Sequence, residues 1–269
     1  TGAGLLQTPL DPAEDAGIQA AVTAGRGGRG GILVRAGGNN RPAGENVADN
    51  AHVGDPRVIA VAATVTDGRA TAGSEPGAPL LVAAPVQSTN GFKLFTTDLT
   101  GFDGANGFGF FPPFETLNNY LFENSGFSGT SAAAPQVAGI AALLLSVNPG
   151  LTYRDVQQLL IHSARQFDLN DPDLRTNGAG YAVSHNVGFG IPDAGQAVRL
   201  AIGWSNRPPV VAVWVTNNQI TAIPDDTGAL HVSGAGVPAG LASIPAAPGL
   251  GVFPEVTTAD VELVSVGKA

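Results

Sequence analysis

The sequence holds no cysteine and no methionine in 269 residues. Without cysteine, disulfides and thiolate metal sites are excluded, and the redox compartment stays open. A chain that starts at Thr1 with no methionine is expected to be a processed, trimmed or partial product. Charge is also scarce. Charged residues make up 13%, and the formal net charge is −9. That acidic balance argues against nucleic acid as a partner, because phosphates attract basic surfaces. Long apolar runs are missing too. The longest, Val137 to Val147, is interrupted by Gly139 and is too short to cross a bilayer. No signal peptide opens the chain, and a trimmed N-terminus could not show one.

Hydrophobic residues reach 43%, enough for a substantial core in one large domain or two smaller ones. "DPAEDAGIQAAVTA" (11–24) begins as a helix should, with Asp11 at the cap and Pro12 in the first turn. After "GRGGRGG" come three short apolar runs, "ILVRAGG", "RVIAVAATV" (57–65) and "PLLVAAP" (79–85), which read as strands. Their alternation with helices predicts an α/β fold with a largely parallel sheet. Residues 86–125 are rich in Gly, Asn and Phe without a period, and read as a long surface excursion. An apolar helix then runs from about Ser131 to "NPG". Thr152 and Asp155 stand in capping-box spacing before a second helix, and a glycine-rich turn precedes a third. From residue 208 the texture changes to short alternating runs broken by Pro, Gly and Asp. This predicts a division into 1–207 and an all-β module over 208–269.

"GFSGTSAAAPQVAGIAALLL" (126–145) raises the chemical question, because Thr130 and Ser131 stand at the head of an apolar helix. Side-chain oxygens there often cap the helix. Alternatively, a serine at the positive end of a helix can be an exposed nucleophile. "GRGGRG" (25–30) has the spacing of a dinucleotide fingerprint, but it follows a helix and opens a strand, the reverse of what that fingerprint needs. A flexible connector is the expected reading. "GFSGT" fails as a nucleophile elbow, since Thr130 stands where glycine is required. In "RAGGNN" (35–40), Asn39 lies just past a buried strand and could turn its amide toward an oxyanion, or could simply end the strand in a turn.

Taken together, "AGGN", "GTSAAAP", "NPGLTYRDVQ" and "SHNVGFGIPDA" closely resemble the subtilisin-like serine peptidases, and the kexin-like branch most of all. The resemblance covers about residues 15–204. It implies the subtilisin-like fold, with a largely parallel sheet and flanking helices, and an acyl-enzyme endopeptidase acting on peptides or proteins. Ser131 matches the nucleophile, and Asn39 the side-chain oxyanion donor beside the Ser131 N–H. Glu45 and Glu75 match acids that help hold calcium, and Asp49 the pocket acid that recognises a basic side chain. "AIPDD" in the tail resembles the opening of the P domain, a β-sandwich. Secretion is typical of the family.

The family's aspartate in a D-[ST]-G context and histidine in an H-G-T context are absent here. His52, His162, His185 and His231 lack that context and are read as structural. The expected partner is therefore an upstream part of the same catalytic domain. The alternatives are a non-catalytic protein of the same fold, or a secreted binding or adhesion module on a degenerate scaffold.

Overall fold

The computed structural model describes residues 10–99, 120–121 and 126–207. Contacts divide the chain into a main unit, Thr1–Arg175 with Ala182–Asn206, and a second unit, Thr176–Tyr181 with Arg207–Ala269. The described part of the second unit is little more than a turn, in which the Asn177 N–H donates to the Tyr181 carbonyl at 2.9 Å. The tail that the sequence assigns to an all-β, P-domain-like module lies outside the described residues, as does His231.

The main unit opens with α1, Pro12–Gly28. Asp11 caps it, its carboxylate accepting the Ala13 N–H at 2.8 Å. The helical conformation breaks at Gly25–Gly27, where Arg26 takes a left-handed φ of 52°. This glycine tract is no loose connector. The Arg26 guanidinium donates to the carbonyls of Leu151 and Pro149 at 2.9 and 3.0 Å, and a Cβ on Gly30 would meet Tyr153 at 2.7 Å. The glycines let the chain pass closely under a neighbouring loop, which the expectation of a flexible connector missed.

Three parallel strands follow in spatial order β1-β2-β3: Leu33–Ala36, Val58–Val65 and Leu80–Gln87. Between β1 and β2 lie two short 3-10 turns, Arg41–Ala43 and Val47–Asp49. β2 is buried on both faces, as a central parallel strand must be. One face carries Ile59, Val61 and Ala63 into the main core; the other sets Ala60 and Ala62 against Val47, Val53, Leu80 and Val187.

Helix α2, Thr130–Val147, packs against all three strands. Ala133, Val137, Ala141 and Leu144 recur at helical spacing and are buried on that side. Leu143 and Val147, flanking that buried stripe, are exposed. By length and composition alone this helix could cross a membrane, with a mean hydropathy of 1.5. The stretch is longer than the Val137–Val147 run because uncharged Ser, Thr, Pro and Gln precede it, and here its buried face lies on the sheet.

α3, Tyr153–Ser163, starts with the expected capping box: the Thr152 hydroxyl oxygen accepts the Asp155 N–H, and the Asp155 carboxylate accepts the Thr152 N–H at 2.8 Å. The Trp204 indole N–H also donates to Asp155, at 3.0 Å. α4, Ala194–Ile202, is capped by Asp193. The remaining strands are two residues each: β4 Thr96–Thr97, β5 Tyr120–Leu121, β6 Ala164–Arg165, β7 Arg175–Thr176, β8 Ala182–Val183 and β9 Ile191–Pro192. β4 pairs with β5, and Leu94 bridges Phe127, so the described edges of the 86–125 excursion return in antiparallel fashion.

The loop after α3 is tied back by Asp171, which accepts from the Ser184 hydroxyl and from the Asn186 amide at 2.9 Å. Burial alone would raise the Asp171 carboxyl. The hydrogen bonds from Ser184, the Asp173 N–H and Asn186, with the Arg41 charge, outweigh it and hold Asp171 below the ordinary Asp range. A depressed carboxylate stabilises the fold above its unfolded value, about 3.9, and that contribution is lost as pH falls through the lower folded value. Between pH 4 and 2, thermal melts of Asp171→Asn should therefore lose less stability than wild type. An equally steep acid limb in the variant would show that Asp171 does not carry this term.

Candidate active site

The site forms at the carboxyl end of β1, where ligand clefts of parallel sheets lie. Past Ala36 the chain turns through Gly37 and Gly38 to Asn39. The Gly37 N–H donates to the Val61 carbonyl at 2.9 Å, so the turn is pinned to the middle of the sheet. The head of α2 arrives from the other side.

Gly129 precedes that helix with φ 74° and ψ −178°, a conformation essentially reserved for glycine. A Cβ there would also stand 2.8 Å from Asn39 Oδ1. Gly129→Ala should cost about 1–3 kcal/mol through the backbone alone. Urea unfolding of the variant checks this, and an unchanged midpoint would contradict it.

Neither hydroxyl at the helix head caps its own helix. Thr130 is fully buried and looks backward: its oxygen accepts the Gly38 N–H at 3.1 Å and its hydroxyl donates to Asn39 Oδ1 at 3.2 Å. The Thr130 N–H donates to the same Oδ1 at 2.9 Å. Two donors on one carboxamide oxygen fix which end of the Asn39 side chain is the carbonyl. The amide NH2 must then be the end that remains. Asn39 itself is exposed, and its carboxamide nitrogen lies by the helix head, 3.5 Å from where a Cβ on Gly129 would stand.

Ser131 is exposed, and its hydroxyl bonds to no described residue. Its backbone N–H likewise has no acceptor among the described residues, whereas the next two N–H groups, of Ala132 and Ala133, reach the Gly129 carbonyl. An unpaired N–H at the positive end of a helix, with a carboxamide NH2 nearby, can stabilise an oxygen that gains negative charge. Thr130 was not singled out in the sequence as anything but a cap. Its contacts run to residues 38 and 39, far away in the chain, and only the "G-T-S" adjacency hinted at it.

The predicted acids fall into two groups. Glu45 and Glu75 come together around Asn40: the Asn40 amide donates to Glu45 at 3.0 Å, and its backbone N–H to Glu75 at 2.9 Å. Among the described residues no set of three His, Cys, Asp or Glu side chains is placed to hold a metal ion. Asp49 is half-buried and closes a capping box on the Val47–Asp49 turn, accepting the Asn46 N–H at 3.1 Å.

The described histidines are engaged elsewhere. His52 meets Arg35 and Glu14, and His185 meets Asp173 at 3.0 Å. His162 faces Trp204, with ring centroids 5.6 Å apart. None of them bonds to Ser131.

This is an α/β protein with an exposed serine on the first turn of a helix and an anchored carboxamide beside it, at the carboxyl edge of a parallel sheet. The chain belongs to the subtilase family, whose pattern it matches over residues 11–190. It is 32% identical over 188 residues to a furin-like protease 1 isoform of Drosophila melanogaster, which covers 70% of this chain and 15% of that protein. To the mouse proprotein convertase subtilisin/kexin type 7 it is 34% identical over 194 residues, 72% of this chain and 23% of the relative. The chain thus spans less than a quarter of these relatives. The crystal structure of the serine protease of Aeromonas sobria shares the fold, with a TM-score of 0.67 at 23% identity, over 77% of this chain and 42% of that one.

Proposed function

We propose that this chain carries the nucleophile side of a kexin-like serine endopeptidase, with Ser131 as nucleophile and the Asn39 amide and Ser131 N–H as oxyanion donors. The observation that supports it best is the grip of Thr130, the residue before Ser131, on Asn39 Oδ1, which leaves the carboxamide NH2 as the end free to meet a substrate oxygen. Ser131 Oγ adds to the peptide carbonyl carbon, the carbonyl oxygen becomes the anion held by the two donors, and the amine departs with a proton. Water then hydrolyses the ester. A general base must accept the Ser131 proton, a role proposed here for a histidine oriented by an aspartate in an upstream part of the catalytic domain.

Asp49 is proposed to receive a basic substrate side chain through the carboxylate oxygen that the cap does not use. Glu45 and Glu75 are proposed calcium ligands. They supply part of the six to eight oxygens calcium takes, and the remainder would come from outside the described residues. Secretion follows the same reading. In a complete catalytic domain, Ser131→Ala should abolish cleavage of peptide substrates. Undiminished hydrolysis in that variant would favour a non-catalytic or adhesive role for this half of the fold.

A further inference from the structure

Glu75 is buried at 7% exposure in a loop far from Asn39 in sequence, yet it touches both neighbours of that residue. Its backbone N–H donates to the Gly38 carbonyl at 3.2 Å, and its carboxylate Oε1 accepts the Asn40 N–H at 2.9 Å. Asn39 sits between the two bonds. The carboxylate also lies directly against Gly38: a Cβ on that glycine, whose φ is 118°, would come within 2.3 Å of it. Gly38 in turn gives its own N–H to Thr130. The main chain on either side of Asn39 is thus held by one residue, while Thr130 holds the end of its side chain.

We infer that Glu75 is a positioning residue for the oxyanion arm, acting as a pincer across residues 38–40 independently of any metal ion. This rests on the reading of Asn39 as the oxyanion donor. It differs from a role as metal ligand in one chemical respect. A pincer needs an acceptor oxygen at Oε1, whereas a calcium ligand there contributes negative charge. Glutamine keeps the first and loses the second.

The experiment compares Glu75→Ala and Glu75→Gln by two readouts. In the 269-residue chain, amide exchange at Asn40 is followed by NMR, with the Val61 amide in β2 as a control for the fold. In the complete catalytic domain, kcat and KM are measured at constant saturating calcium. Glu75→Ala should speed Asn40 exchange at least about tenfold while Val61 stays protected. It should also lower kcat by about 10- to 100-fold, the scale of misplacing a group that serves the transition state, with KM little changed. Glu75→Gln should recover most of both losses. Equal Asn40 exchange in wild type and Glu75→Ala would overturn the inference, as would a Gln variant as impaired as the Ala variant. If Glu75→Ala does not fold, unprotected Asn40 in a folded Glu75→Gln chain overturns it equally. Exchange reads the pincer whether or not the domain cleaves peptides, so failure of the peptidase reading is seen separately, in Ser131→Ala.

Discussion

In a complete catalytic domain, Asn39→Ala should lower kcat by about 10²–10³-fold, the scale on which a subtilisin loses turnover when one oxyanion donor is removed. The loss falls on kcat because the amide bonds the oxygen more strongly once it carries negative charge, so KM should move little. Thr130 sharpens the expectation. With its N–H and hydroxyl both on Asn39 Oδ1, the carboxamide is oriented before substrate arrives. Alanine at 39 removes the donor and strands the buried Thr130 hydroxyl beside Gly38, so a modest fall in stability should accompany the kinetic effect. A loss confined to KM would make Asn39 a substrate-binding or turn residue instead.

The second large effect concerns the chain alone. An isolated serine hydroxyl is a weak nucleophile until a base takes its proton. The described histidines are bound to Arg35, Glu14, Asp173 and Trp204, and none reaches Ser131 through a hydrogen bond. General-base assistance contributes about 10²–10⁴-fold, so a fluorophosphonate should modify the 269-residue chain slower than the complete domain by at least that factor. Fast stoichiometric labelling of the isolated chain would mean that a base within these residues serves Ser131.

Much of the fold was legible because its signals are local. The caps at Asp11 and Thr152, and the run of small and β-branched residues in β2, need only neighbours in sequence to be read. The glycine tract at 25–31 was misread because its role depends on carbonyls beyond residue 148, which local composition cannot show. The site follows the same division. Ser131 and Asn39 stood out through the motifs that surround them. Thr130 and the grip of Glu75 on residues 38 and 40 did not, since both act across loops that meet only in the folded chain. Glu45 and Glu75 were expected together, and the structure adds that Asn40 is what joins them.

The central claim is that Ser131 is the reacting atom's owner and that its neighbours are built to serve it. Its most direct test is to treat a complete catalytic domain with a fluorophosphonate and locate the adduct by peptide mass spectrometry. One equivalent on the peptide containing Ser131, absent from Ser131→Ala and formed more slowly in Asn39→Ala, is the predicted result. An adduct on another residue, or none in a domain that still cleaves peptides, would contradict it.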